Sequence, residues 1–302
     1  MDIAKYYKSC RLCPRSCGVN RLDGQLGRCR VPAQIIAARA ALHFWEEPCI
    51  SGDCGSGAVF FSGCSLGCLF CQNREISGGQ SGKEISIERL AEIFLELQGK
   101  GAANINLVTP DHYAPSIIKA LELAREKGLA LPVLCNCSGY MSPETQKMLA
   151  DYVDIWLPDF KYYDGELAGR LSGAPDYFAA ASAALAEMVR AAGPAVFDED
   201  GMIRRGVIVR HLVLPGHTGD SMQVIRYLHE TYGNDIYISI MNQYTPPAGP
   251  ISGFPELSRR LTEEEYDQVV DFAVRIGVEN GFIQEGDTAK ESFIPPFDNE
   301  GV

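Results

Sequence analysis

The sequence predicts an α/β protein, a partial (β/α)6 barrel preceded by a small cysteine-rich, metal-binding segment. From Ala58 onward, short apolar runs alternate six times with stretches of helical periodicity, the pattern of parallel strands joined by helical crossovers. Polar and charged residues collect just after those apolar runs, where the loops of such a barrel converge on one mouth. Residues 8–30, by contrast, hold four cysteines among turn-forming residues and show neither periodicity, so hydrophobic burial alone cannot fold them. The expected division is residues 1–50 for the cysteine-rich segment and edge strands, 51–290 for the barrel and 291–302 for a tail.

Taken in order, Gln34–Leu42 and Phe44–Ile50 are two apolar stretches expected to pair as an antiparallel edge leading into the barrel. Ala58–Phe61 is the first barrel strand. Ser86–Gln98 is the first helix, with Ser86 as N-cap and apolar residues at Leu90, Ile93, Phe94 and Leu97. Asn104–Val108, Pro132–Asn136 and Val153–Leu157 are strands two to four. The helix Ser116–Lys127 and a helix opened by Ser142, Pro143 and Glu144 lie between them. A helix over Tyr177–Ala192 precedes a hairpin at 196–203 with its turn at Gly201. Strands five and six, Val207–Leu214 and Ile236–Ile240, alternate with helices Ser221–Glu230 and Thr262–Ile276. Gly281–Gly286 reads as a short closing strand, and the Pro-rich tail from Pro295 as disordered.

At 302 residues and 46% hydrophobic, the chain can bury a substantial core. It has no apolar run of membrane-spanning length, and Met-Asp-Ile-Ala-Lys is no signal peptide, so a cytoplasmic protein without a membrane role is expected. Most of the eleven cysteines stand at metal-ligand spacings rather than in a disulfide framework, which suits a reducing compartment. The net charge of −12 divides into +6 over residues 1–40 and −18 beyond, and so acidic a body argues against nucleic-acid binding. The basic segment carries Cys10, Cys13, Cys17 and Cys29, where cations favour the thiolate form. These four suffice to close a zinc site or an iron–sulfur cluster, and their spacing does not choose between the two. His43 with Glu46 and Glu47 is a weaker metal-site candidate; a hydrogen-bonded histidine is the plainer reading.

The chemistry centres on Cys64, Cys68 and Cys71, spaced Cys-x3-Cys-x2-Cys on a Gly-rich loop at the end of the first barrel strand. Three thiolates suit an iron–sulfur cluster, and the absence of a fourth leaves one iron able to bind and activate a small molecule. A zinc site completed elsewhere is the alternative, although structural zinc sites usually present paired Cys-x2-Cys knuckles. This spacing, with the aromatic Phe70 just before the third cysteine, resembles the signature of the radical S-adenosylmethionine (SAM) enzymes. Gly-Ser-Gly at 55–57 and Cys-Gln-Asn at 71–73 are most similar to the pyruvate formate-lyase activating enzyme-like branch.

The resemblance implies a TIM-like partial barrel, a [4Fe–4S] cluster, bound SAM and a reductant such as flavodoxin or ferredoxin. It implies reductive cleavage of SAM to a 5′-deoxyadenosyl radical that abstracts hydrogen, with a glycine of a partner protein as the substrate of that branch. The branch typically carries a Gly-Gly-Glu run after strand two for the SAM amino group. Here Thr109, Asp111 and His112 stand instead, with Asp111 as the candidate substitute. Asn136 and Ser138 are similar to the ribose-contacting positions of strand three. Asp159-Phe160-Lys161 resembles an Asp-x-Lys motif, and Arg210 a strand-five arginine reaching the SAM carboxylate, which a guanidinium can meet bidentately. Cys49 and Cys54 read as ordinary thiols, and one of Cys135 and Cys137 as a candidate hydrogen-atom relay. Modification of a peptide or small molecule is a second reading. A non-catalytic iron–sulfur or zinc protein is a third.

Overall fold

The computed structural model describes residues 2–284 and 294–302. Helix α1 (Ala4–Lys8) and a turn-rich stretch lead into strand β1 (Ile35–His43), the short helix α2 (Pro48–Ser51), strand β2 (Ser56–Phe61), helix α3 (Arg74–Ser77) and strand β3 (Lys83–Ile85). The repeat then runs α4 (Ile87–Gly99), β4 (Ile105–Val108), α5 (Ala114–Glu126), β5 (Val133–Cys137), α6 (Pro143–Leu149), β6 (Ile155–Pro158), α7 (Gly165–Ser172) and α8 (Tyr177–Ala192). It closes with β7 (Val196–Phe197), β8 (Ile203–Leu212), α9 (Thr218–Tyr232), β9 (Tyr237–Met241), α10 (Glu263–Ile276) and β10 (Gly281–Ile283). The strand order is β10-β9-β8-β6-β5-β4-β2-β1-β3, with β7 antiparallel on β8. Every neighbouring pair from β2 to β10 is parallel, whereas β1 runs antiparallel to β2 and β3. This is the expected partial barrel.

Local signals explain the helix boundaries. The hydroxyl of Ser86 accepts the Arg89 N–H and that of Ser142 accepts the Thr145 N–H, capping α4 and α6. Thr262 and Glu265 form a reciprocal capping box at α10. Helix α7 was not legible because it carries Gly165 and Gly169, which weaken helical propensity. Both glycines face Pro175, whose carbonyl would lie 2.7 Å from a Cβ at Gly165.

Side chains alternate between two surfaces of the sheet. Leu107, Cys135, Trp156, Val207 and Ile238 face outward into the main core, together with Ile117 of α5, Leu185 of α8 and Val224 of α9. The inward face is apolar at one end, where Leu134, Ile155 and Ile208 pack with Cys49 and Ile50 of α2. The segment expected as an edge strand, Phe44–Ile50, is therefore a turn and a helix whose Pro48 at the first turn cannot donate to a strand ladder. Only the first half of that predicted pair, β1, is a strand, and its partners are β2 and β3.

The tail from Pro295 is docked rather than disordered. The Asn299 N–H donates to the Ala38 carbonyl at 3.0 Å and the Ala40 N–H to the Glu300 carbonyl at 2.8 Å, extending the edge of β1 beyond β3. Arg39 pairs with Asp298 and Glu300, and the Phe297 ring meets Phe60 edge-on. Of the predicted closing strand, Gly281–Ile283 forms β10, and residues 285–286 lie outside the described residues.

Candidate functional site

Strand β2 delivers the cysteine loop to the mouth of the barrel. Gly63 has φ +93°, and a Cβ there would lie 2.8 Å from the Cys29 carbonyl oxygen, so the N-terminal segment and the loop touch through backbone. Each sulfur of the loop meets hydrogen-bond donors. The N–H groups of Leu66, at 3.5 Å, and of Gly67 point at Cys64 Sγ. The Ser172 hydroxyl donates to Cys68 Sγ at 2.9 Å. Ser77 and the Asn73 N–H serve Cys71. Burial, and then the neighbouring Cys68 and Cys71, push the Cys64 thiol up to about 12, so its proton leaves only in favour of another cation. Donors on three neighbouring sulfurs of one loop fit thiolates bound to a soft metal. Phe70 is buried against the rings of Tyr162 and Tyr244.

The loop opens onto a cavity of about 540 Å³ lined also by Phe70, Asn136, Ser138, Asp159, Lys161 and Arg210, a size suited to a small organic ligand. Lys161 Nζ lies 2.6 Å from Asp159 Oδ2. Burial opposes the lysine charge, but Asp159 and then Cys68 more than offset it and hold its pKa above the ordinary value. Arg210 is held by two residues that the sequence had placed beside His43: Glu47 takes its Nε and Nη2, and Glu46 its Nη2. Glu46 also accepts from Asn106 Nδ2 at 2.7 Å. The carboxylates of the proposed His43–Glu46–Glu47 metal site are thus spent on an ion pair, and His43 packs on the Phe60 ring.

Residues 58–228, more than half of the chain, match the Radical SAM superfamily. The chain belongs to the radical SAM superfamily. Membership implies a [4Fe–4S] cluster and SAM, and the sulfur environment and adjoining cavity fit them. Uncharacterized protein MJ0674 of Methanocaldococcus jannaschii is 28% identical over 290 residues, 92% of this chain and 78% of that protein. Among solved structures, the FeFe-hydrogenase maturase HydG of Carboxydothermus hydrogenoformans is 13% identical with a TM-score of 0.51, over 76% of this chain and 53% of its own. Streptococcus suis SuiB bound to S-adenosylmethionine is 14% identical with a TM-score of 0.49, over 77% of this chain and 50% of its own. The chain thus spans about half the length of these solved proteins, and at 13% identity the likeness to HydG is one of fold.

The fold does not bring every predicted residue of this radical SAM domain to the mouth. Asp111 and His112 are buried away from the cavity, 1% and 2% exposed. Burial raises the Asp111 carboxyl to about 6, and among the described residues neither oxygen has a hydrogen bond of ordinary geometry. Its charge faces Cys13 and Cys135. His112 Nε2 lies 2.7 Å from the Ser62 carbonyl, and burial lowers its pKa to about 3. The thiols of Cys135 and Cys137 adjoin each other on one strand face; Cys135 packs in the outer core, and Cys137 reaches the cavity lining.

In the N-terminal segment Cys10, Cys13 and Cys29 are buried, whereas Cys17 is exposed with its Sγ accepting the Arg28 N–H at 3.3 Å. Burial pushes the Cys13 thiol up to about 12, with Asp111, Cys29 and Cys10 adding to it, and burial likewise raises Cys29, with Cys10 and Cys17 adding. Among the described residues, no three Cys, His, Asp or Glu side chains already stand as a formed metal site, in this set or in the loop. Sequence reasoning missed the pairing of Glu46 and Glu47 with Arg210. Only the strand-end position of Arg210 and the acidic pair before Pro48 hinted at it.

Proposed function

We propose that this radical SAM enzyme carries its cluster on Cys64, Cys68 and Cys71 and acts on a peptide segment or protein, a backbone glycine of a partner enzyme being the specific candidate. The observation that carries the reading is the convergence of three donor-supplied sulfurs on the cavity that also holds Lys161, Asp159 and Arg210. When bound, the cluster and SAM supply one-electron reductive cleavage and hydrogen-atom abstraction. Lys161 offers a cation to the SAM carboxylate and to the thiolate of Cys68. Asn136 and Ser138 offer polar atoms to the ribose, and Phe70 screens the loop from water.

The rim supports a large substrate: Phe44, Trp45 and Ile283 line the mouth and are 50%, 52% and 54% exposed, apolar surface of the kind that a macromolecule covers. The reductant would be a flavodoxin or ferredoxin and the compartment the cytoplasm. No helix among the described residues is long and apolar enough to cross a membrane. The four N-terminal cysteines would bind zinc or an auxiliary cluster, next to the buried carboxylate of Asp111.

Anaerobic reconstitution followed by dithionite and SAM tests this. The wild type should release 5′-deoxyadenosine, and the variant with Cys64, Cys68 and Cys71 all replaced by Ala should release none. Cleavage retained in that variant, or absent from a cluster-loaded wild type, overturns the reading. With a partner deuterated at the glycine α-carbon, label in the deoxyadenosine marks the protein substrate; label only from a small molecule overturns that part.

A further inference from the structure

The N-terminal segment reaches the cluster loop through two arginines. Arg15 Nε donates to the Ser65 carbonyl at 2.9 Å, and Arg28 Nη2 donates to the Leu66 carbonyl at 2.9 Å. A trans peptide unit is planar, so its C=O and the following N–H point in opposite directions within one rigid plate. The plate that begins with the Ser65 carbonyl ends in the Leu66 N–H, and the next ends in the Gly67 N–H. Those are the two N–H groups directed at Cys64 Sγ. Each guanidinium therefore holds the oxygen end of a dipole whose hydrogen end meets the same sulfur.

We propose that Arg15 and Arg28 are positioning residues for the cluster, orienting and polarising the two peptide groups that hydrogen-bond Cys64. This rests on the reading that Cys64, Cys68 and Cys71 hold the cluster. Arg15 also fixes the backbone that carries the donor to the second sulfur: its Nη2 donates to the Ser172 carbonyl at 3.1 Å and its Nη1 to the Gly173 carbonyl at 2.5 Å, while the Ser172 hydroxyl donates to Cys68 Sγ. The guanidinium lies over the Tyr140 ring, 5.1 Å from its centroid, which limits its swing. The backbone contact of Cys29 with Gly63 is matched by the Arg30 carbonyl, 2.7 Å from where a Cβ at Gly79 would stand. Arg15 lies between Cys13 and Cys17, and Arg28 beside Cys29. Whatever orders those cysteines orders both guanidiniums.

Hydrogen bonds to cluster sulfur and nearby positive charge favour the more negative, reduced state and so raise the reduction potential. Removing either arginine frees one peptide plate to rotate its N–H away and withdraws a positive charge. The potential should then fall.

The test uses the full-length, reconstituted protein titrated with dithionite under potential control, with the reduced cluster read by electron paramagnetic resonance. Arg15→Ala and Arg28→Ala should each shift the reduction equilibrium about tenfold toward the oxidised state, which is about 59 mV for one electron. Arg15→Lys should recover part of the shift, since it keeps the charge but not the three-carbonyl fork. Arg11→Ala, an exposed arginine of the same segment, should match the wild type. In cluster-free protein, deuterium exchange of a peptide covering residues 62–71 should quicken in Arg15→Ala and Arg28→Ala. Unchanged potential and unchanged exchange in both, at wild-type iron content and melting temperature, overturn the proposal. A wild type that binds no cluster overturns the function reading instead, and the exchange comparison then still decides whether the arginines hold the loop.

Discussion

Arg210 and Glu47 meet side-on in the barrel, with Nε 2.9 Å from Oε1 and Nη2 2.5 Å from Oε2. The arginine reached from strand β8 is thus already engaged by carboxylates from the turn before α2, 163 residues away in the chain. Burial opposes its charge, and Glu46 and Glu47 more than offset that, raising its pKa. Removing one partner of a buried pair strands the others, typically at about 3–5 kcal/mol. Arg210→Ala should therefore lose about that much stability in urea unfolding. The triple replacement Arg210→Met, Glu46→Gln and Glu47→Gln should recover most of it. Equal loss in the single and triple variants would mean that stranding the two glutamates is not what destabilises Arg210→Ala.

Among the described residues Arg210 Nη1 has no hydrogen-bond partner, although the residue lines the cavity. A charge-assisted bond from it to the SAM carboxylate would contribute about 1.5–3 kcal/mol. Arg210→Lys, which keeps a charge for the two glutamates, should then weaken SAM binding by roughly tenfold to a hundredfold with iron content intact. Calorimetric titration checks this. Unchanged affinity would remove Arg210 from SAM recognition.

His211 places Nδ1 2.7 Å from the Phe160 carbonyl, and its Nε2 has no partner among the described residues. Burial lowers its pKa to about 4, so the fold holds it neutral while the unfolded chain protonates it near 6.5. Its contribution to stability is complete above pH 6.5 and is lost as pH falls from 6.5 toward 4, at about 1.4 kcal/mol per unit and up to about 3 kcal/mol in all. His211→Asn should flatten the acid limb of stability against pH by one proton. Parallel limbs for variant and wild type would refute this.

Gly139 has φ +74°, and a Cβ there would stand 2.2 Å from the Asp159 carbonyl oxygen. That oxygen also accepts the Tyr177 hydroxyl at 2.9 Å. Gly139→Ala combines left-handed strain, about 1–3 kcal/mol, with a clash that displaces Asp159 from Lys161. We expect a lower melting temperature together with weaker SAM binding. A melting temperature within error of the wild type would show that the two strand ends separate freely.

The docked tail separates two kinds of contact. Arg39 pairs with carboxylates that are more than half exposed, 56% and 53%, so Arg39→Ala should cost no more than about 1 kcal/mol. Deletion of residues 297–302 also removes two backbone hydrogen bonds to β1 and the Phe297–Phe60 contact. It should lower stability by more than Arg39→Ala and speed proteolysis near β1, which limited digestion would reveal.

Most of the repeat was legible because its signals are local. Ser86, Ser142 and Thr262 cap helices within three residues of themselves, and the alternation of apolar runs with helical periodicity needs only a short window. The three-cysteine loop was legible for the same reason, since its cysteines all fall between residues 64 and 71. Helix α7 and the true shape of Phe44–Ile50 were not, because close approach to Pro175 and to the barrel interior outweighs intrinsic propensity there.

By itself, then, the sequence determined the order of the barrel strands, the cysteine loop and the placing of polar residues at strand ends, all of which follow from neighbours along the chain. Only the tertiary structure decided which of those polar residues meet. It set Glu46 and Glu47 on Arg210, kept Asp111 away from the mouth, laid the tail along β1 and brought Arg15 and Arg28 to the carbonyls of the cysteine loop. For the arginines, the physical reason is that a buried charge must find a counter-charge or a hydrogen bond. Which partner it finds depends on the side chains that packing carries to it across tens to hundreds of residues, and no local pattern records that choice.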